Sequence, residues 1–143
     1  ELVLRGLPSM ALRYAAQDAA ARAFAAWCQT RREFVRVLHP ALPGSPGHAH
    51  WASHCSAAAG LVTVEIDPRF GRDRTDAFVD AMKLFRIGYS WAGPISLVVP
   101  YDPSAIRGAS APYRGTLVRF CIGLEEVNDL IADAEQALAV LAG

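Results

Sequence analysis

One arginine set inside an apolar run constrains this chain more than any other feature. The run reads Leu117-Val118-Arg119-Phe120-Cys121-Ile122. Its β-branched and aromatic content predicts a strand, and its near-continuous apolar character predicts burial on both faces. A guanidinium in such a strand is costly to bury alone, so Arg119 should meet negative charge from the protein or from a ligand. Within the protein, Glu65 is a candidate for such an ion pair. The second informative stretch runs from Arg86 to Pro100, where two short apolar strands flank Tyr89-Ser90-Trp91. Polar and aromatic groups are displayed there at the junction of sheet and loop, a place suited to ligand contact.

The remaining elements follow from periodicity. Leu7, Met10, Tyr14, Ala21, Phe24 and Cys28 recur at helical spacings in an alanine-rich segment. They predict a long amphipathic N-terminal helix, with Pro8 marking its start or a kink and Tyr14, Phe24 and Trp27 turned to the core. Glu33 to Leu38 alternates as a strand ending at His39-Pro40, and Pro40 to Ser56 reads as irregular. Gly60 to Ile66 is a half-buried strand with Val62, Val64 and Ile66 on one face and Thr63 and Glu65 on the other. A helix is predicted from about Thr75 to Leu84, with Phe78, Val79 and Met82 inward, and Tyr101 to Arg114 reads as an irregular connection. In the closing helix Glu125, Glu126 and Asp129 occupy the first turn, and Val127, Leu130, Ile131, Ala134, Leu138 and Leu141 form the inner stripe. The sum is one α+β domain over residues 1–143: a largely antiparallel sheet of about four strands, with helices packed on one side.

Composition excludes several function classes. Fourteen Lys plus Arg balance fourteen Asp plus Glu, and the charges are scattered, so no nucleic-acid surface or polybasic membrane contact is expected. No apolar run approaches the ~20 residues of a membrane span. Cys28, Cys55 and Cys121 lie far apart, as reduced thiols of a cytoplasmic protein would. His48, His50, His54 and Cys55 have metal-ligating chemistry, but their spacing matches no familiar zinc pattern, so no metal site is expected. Gly88-Tyr89-Ser90-Trp91-Ala92 comes within one residue of a nucleophile elbow. That motif needs a helix directly after the serine, whereas Pro94 and Ile95-Ser96-Leu97-Val98-Val99 predict a strand.

The segments Leu4-Arg5-Gly6-Leu7, His39-Pro40-Ala41-Leu42-Pro43, Pro46-Gly47-His48, Tyr89-Ser90-Trp91 and Arg119-Phe120-Cys121-Ile122-Gly123-Leu124-Glu125 together carry a resemblance. They are similar to the C-terminal small domain of the cystathionine β-lyase group in the Cys/Met-metabolism family of pyridoxal-phosphate (PLP) enzymes, of fold type I, the aspartate-aminotransferase-like class. The resemblance implies that Arg119 clamps the substrate carboxylate, a task suited to the planar fork of arginine. It implies that Ser90 and Trp91 frame that carboxylate and that Tyr89 supports the loop. Trp91 after Ser90 resembles the β-lyases, so the implied reaction is α,β-elimination of cystathionine or cysteine conjugates to a thiol, pyruvate and ammonia. A γ-synthase or γ-lyase is the alternative, as is a stand-alone amino-acid-binding module.

The chain has a single lysine, Lys83, at the end of a helix and outside any cofactor-binding setting. The resemblance therefore places the Schiff-base lysine and the cofactor contacts in a large upstream domain of the same polypeptide. It implies PLP in that longer protein, with no catalytic or cofactor-binding residue and no bound PLP in this chain. The opening Glu1-Leu2-Val3-Leu4, which lacks an initiator Met and begins inside an element, supports the expectation of a piece of a longer protein. Such a piece would expose apolar faces on its first helix and around Tyr89 to Gly93, and would associate into a dimer or higher oligomer; the family commonly forms tetramers.

Overall fold

The computed structural model describes residues 1–142. In chain order the elements are α1 (Leu2–Gly6), α2 (Met10–Cys28), β1 (Phe34–Leu38), α3 (His48–His54), β2 (Leu61–Ile66), α4 (Gly71–Asp80), β3 (Arg86–Ile87), β4 (Leu97–Tyr101), α5 (Pro103–Arg107), β5 (Leu117–Cys121) and α6 (Val127–Ala142). The strands form one five-stranded sheet in the order β1-β2-β5-β4-β3. All neighbours are antiparallel except β3 and β4, which run parallel. The α+β build is as expected. The short strand expected just before Tyr89 is β3, only two residues long, and it makes a fifth strand in a sheet expected to have about four.

Period-two alternation gives the sheet two unlike faces. Val62, Phe120 and Val98 lie side by side on the first face, and Thr63, Arg119 and Val99 on the second. Against the first face pack α2, α4 and α6, closing a core in which Phe24, Phe78, Val62, Val64, Val98, Val118, Phe120 and Leu130 are all fully buried. Three rings anchor it, with Phe24 and Phe120 centroids 4.9 Å apart and Phe85 and Phe120 5.1 Å apart. Each such side chain contributes about 1.5–3 kcal/mol by leaving water. The inward sets predicted for α4 and α6 are found there, with Val127 and Ile131 at the partly buried margin.

The second face is only partly covered, with Glu65, Val99 and Cys121 buried but Leu117 and Arg119 not, which corrects the expectation that β5 is buried on both sides along its length. Leu117 and Arg119 keep partial exposure, while Val118 and Phe120 keep none. Apolar content alone cannot distinguish a strand sandwiched between layers from one whose second face awaits cover.

Other boundaries shift for local reasons. Helix α4 starts at Gly71 rather than Thr75, with Thr75 Oγ1 donating to Gly71 O and Arg72 paired to Asp76. It ends at Asp80 rather than Leu84, because the Asp133 carboxylate on α6 accepts the backbone N–H groups of Lys83, Leu84 and Phe85. The stretch anticipated as irregular after Pro40 contains α3, entered through Gly47 in the left-handed region at φ 79°. The connection after Tyr101 contains α5, capped by Asp102 accepting from Ser104 N with Pro103 at its start. Helix α6 begins at Val127, so Glu125 and Glu126 precede it and Asp129 alone supplies acid to the first turn.

The first helical segment is broken by a 3₁₀ turn at Leu7–Ser9, around Pro8. Beyond it, α2 reaches the core only from Gln17 onward. Leu7, Met10 and Tyr14 are therefore exposed rather than part of the buried stripe, which consists of Ala21, Phe24, Ala25 and Cys28. Trp27 lies at the core margin, and of the three aromatics predicted to face inward only Tyr14 fails to. No helix among the described residues is long and apolar enough to cross a membrane.

Candidate functional site

Arg119 stands in the middle of β5 on the open face, with Thr63 of β2 on one side and Val99 of β4 on the other. Its guanidinium Nη2 donates to the backbone carbonyls of Tyr89 at 2.7 Å and Ser90 at 3.4 Å. Its carbon lies 5.9 Å from the Trp91 ring centroid and 5.5 Å from that of Tyr101. The four residues proposed from sequence are thus brought together: Arg119 is the hub, Tyr89 and Ser90 hold it through their main chain, and Trp91 borders it.

The internal ion pair with Glu65 is not formed. Glu65 is buried and committed elsewhere: Oε1 accepts from Arg114 N and Gly115 N, and Oε2 lies 3.5 Å from Arg36 Nε. Among the described residues Arg119 meets no carboxylate, and its buried Nε has no hydrogen-bond partner. A half-exposed cation held by carbonyl oxygens and aromatic faces is disposed to accept an external anion.

The loop from Gly88 to Ser96 is fixed from four directions. Gln17 on α2, buried at 5% exposure, donates from Nε2 to Gly93 O at 2.8 Å. Ala92 N donates to Cys121 Sγ, and Leu124 N to Pro94 O. Burial first, opposed by that hydrogen bond and by Arg119, holds the Cys121 thiol above its usual range. Ser96, fully buried, donates from Oγ to Glu125 Oε2 at 2.7 Å and from N to Glu125 Oε1 at 2.9 Å. Ala92 sits at φ 61°, an uncommon conformation for a residue with a Cβ, retained where the surroundings impose it.

Gln17, Tyr101, Cys121 and Glu125 are supports that sequence reasoning missed. A polar residue on the inner stripe of a helix was the available signal for Gln17. No comparable signal marks Tyr101, whose place beside Arg119 arises from the register of β4 on β5. Trp91 and Tyr89 are 62% and 69% exposed, so the aromatic rim of the site is uncovered within this chain.

Other candidates do not assemble. Ser90 is followed by loop and then β4, with no helix to form an elbow. His48 Nδ1 lies 2.8 Å from Pro40 O, and His54 Nδ1 is 2.9 Å from His50 O. Among the described residues no three His, Cys, Asp or Glu side chains converge as a metal would require. Lys83 is exposed on the turn after α4, its backbone N–H bound to α6, on the helix-bearing side of the sheet and away from Arg119.

Fold and site together define an α+β domain that presents a guanidinium from the open face of its sheet. The model of the Cys/Met metabolism PLP-dependent enzyme family matches residues 1–139, and the chain belongs to that family. Among its relatives, a cystathionine beta-lyase of Bordetella avium is 42% identical over 141 residues, covering 96% of this chain and 35% of the relative. A cystathionine beta-lyase of Salmonella typhimurium is 38% identical over 139 residues, covering 94% of this chain and 35% of the relative. The crystal structure of metB from Corynebacterium glutamicum superposes with TM-score 0.81 at 32% identity, over 96% of this chain and 36% of that one. Apo CalE6, a methionine gamma lyase from Micromonospora echinospora, superposes with TM-score 0.79 at 30% identity, over 96% and 36%. The chain therefore spans about a third of the length of the relatives it matches, and what it shares with them is one small domain.

Proposed function

We propose that this chain is the C-terminal, substrate-carboxylate-binding domain of a PLP-dependent carbon–sulfur lyase of the cystathionine β-lyase type, following a large domain in the same polypeptide. The observation that carries the reading is Arg119, a guanidinium on the open sheet face with no acidic partner among the described residues. In this reading its free edge pairs with the α-carboxylate of an amino-acid substrate. Fixing that carboxylate fixes the orientation of the Cα–H bond, which decides which bond is labilised.

The residues present do not fit as holders of PLP, because the only lysine, Lys83, lies on the other side of the sheet. When bound in the longer protein, PLP would supply the electron sink for breaking bonds at Cα. The task of this chain is to bind and orient. Arg119 receives the carboxylate, and the carbonyls of Tyr89 and Ser90 hold the guanidinium in place through Nη2. Trp91 and Tyr101 set aromatic faces beside the guanidinium. The overall reaction would be α,β-elimination, in which cystathionine and water yield homocysteine, pyruvate and ammonia. The resemblance of Trp91 after Ser90 to the β-lyases favours β- over γ-elimination, and the keto acid released distinguishes the two, being pyruvate in the first case and 2-oxobutyrate in the second. The exposed Leu2, Val3, Leu4, Leu7, Met10 and Leu12 of the N-terminal segment would be covered by the large domain or a second copy in a cytoplasmic homo-oligomer.

The test is Arg119→Lys in the full-length polypeptide loaded with PLP, with pyruvate release as the readout. Lysine keeps the charge but loses the two-pronged pairing, so kcat/KM should fall by about 100-fold. Parental kinetics in that variant would overturn the assignment.

A further inference from the structure

Every residue from Tyr89 to Ala92, together with Pro94 and Ile95, is exposed, and no neighbouring atom lies within 4 Å of where a Cβ on Gly93 would stand. Packing therefore does little to place the loop that borders Arg119. Between its ends, the position of this loop rests on hydrogen bonds to its backbone. Two of them come from the end of β5 and the turn after it: Ala92 N donates to Cys121 Sγ at 3.3 Å, and Leu124 N to Pro94 O at 2.9 Å. Sulfur is a weak acceptor. The third comes from the helical layer, where Gln17 Nε2 donates to Gly93 O at 2.8 Å across 76 positions of sequence.

Gln17 is itself firmly seated. It is 5% exposed on α2, and its Cβ lies 3.5 Å from where a Cβ on Gly60 would stand. Gly60 O accepts from Ile122 N, just beyond β5, and the next residue on α2, Asp18, accepts from Ala58 N and Arg22 Nε. A buried amide on the inner stripe of a helix is costly unless its hydrogen bond is used, and here the bond is spent on the loop.

We propose that Gln17 is a positioning residue of the carboxylate receptor: through Gly93 it sets the backbone from which the Tyr89 and Ser90 carbonyls and the Trp91 ring meet Arg119. The inference rests on the reading of Arg119 as the α-carboxylate receptor and adds the group that holds the receptor in register. Trp91 is 62% exposed, so its approach to the guanidinium follows from the backbone it hangs on rather than from a pocket around its ring. With the Gly93 carbonyl released, the two carbonyls at Nη2 loosen and the guanidinium is presented over a range of orientations. Misplacing an orienting group by ~1 Å can cost about 100-fold in rate; loosening it should cost about tenfold.

The test is a double-mutant cycle in the full-length PLP-loaded polypeptide with L-cystathionine. It pairs Gln17→Met, which keeps the length of the side chain but has no donor, with Arg119→Lys. Gln17→Met alone should lower kcat/KM for pyruvate release by about tenfold. In the Arg119→Lys background the same change should cost less than about twofold, because a group that acts through Arg119 has little left to position. Hydrogen exchange supplies a readout independent of turnover: amides of residues 88–96 should exchange about tenfold faster in Gln17→Met, with those of β4 and β5 at parental rates. If exchange quickens throughout the sheet, Gln17→Ala, which matches the alanine-rich helix, takes its place in the cycle. Equal losses in the two backgrounds, or no loss in the parent, would overturn the positioning role and leave the receptor reading intact. Parental kinetics in Arg119→Lys would overturn the receptor reading and the positioning role with it.

Discussion

Replacing Ser96 by alanine removes one oxygen from a fully buried position and tests how the loop from Gly88 to Ser96 is held. That oxygen donates to Glu125 Oε2 and accepts from Gly123 N at 2.8 Å. The first bond is charge-assisted, and such bonds contribute about 1.5–3 kcal/mol; loss of the second strands a buried N–H, at about 1–3 kcal/mol. Alanine keeps the Ser96 N–H bond to Glu125 Oε1, so part of the carboxylate's demand remains satisfied. The net cost should be about 2–4 kcal/mol, since the two deletions share one atom and do not add fully. For a chain of this length a urea slope of ~1.5 kcal/mol/M converts that into a midpoint lowered by about 1–3 M. The assay is urea denaturation followed by tryptophan fluorescence and far-UV circular dichroism. Ser90→Ala deletes the same atom from an exposed loop position and should stay within about 0.5 kcal/mol of the parent. A Ser96→Ala midpoint within error of that control would refute the claim that this buried link anchors the loop.

Gly115 lies where an added Cβ would collide with the Ile66 carbonyl oxygen, so Gly115→Ala should cost about 3 kcal/mol or more in the same denaturation assay. Cys55 is the exposed thiol and Cys28 and Cys121 are buried, with burial pushing both buried thiols above the usual range. Ellman's reagent should therefore label one thiol rapidly in the native chain and the remaining two only with urea. His39 is 1% exposed, and burial, followed by the charge of Arg22, holds its pKa below the usual imidazole value against the pull of Asp18. The unfolded chain takes up that proton first as pH falls, so the contribution of neutral His39 to stability is complete above ~6.5 and shrinks below it. Denaturation midpoints at pH 5.5 and 7.5 should differ more in the parent than in His39→Gln; an equal difference refutes the role.

The helix-bearing face was legible because its signal is redundant. Phe78, Val79 and Met82, and likewise Leu130, Ala134, Leu138 and Leu141, repeat at helical spacing and are found inside. Helix ends were less legible, because they are set by tertiary partners. Asp133 stops α4 from fifty positions away, and no local pattern announces that. The Asp102-Pro103-Ser104 cap of α5 was a readable local signal, an N-cap acid followed by proline at the first helical position. The exposure of Leu7, Met10 and Tyr14 was not readable from the spacing, which stays helical on both sides of Gln17, where burial of α2 begins. At the site, the conjunction of Arg119 with Tyr89, Ser90 and Trp91 followed from the resemblance to a family, and the structure places the four together. The contributions of Tyr101 and Gln17 depend on strand register and helix placement, which composition does not encode.

Register also governs how this domain can change over time. Val118 and Phe120 alternate with Arg119 along β5, so neighbouring positions serve opposite sides of the sheet. Deleting a single residue from β5 would invert every side chain beyond it, carrying Arg119 toward the phenylalanine cluster and Phe120 toward water. Insertions are better tolerated in the exposed part of the connection between α5 and β5, ahead of Arg114 and Gly115, which are tied to Glu65 and Ile66. Variation in such a lineage should therefore appear as loops of unequal length around a strand whose own length stays constant.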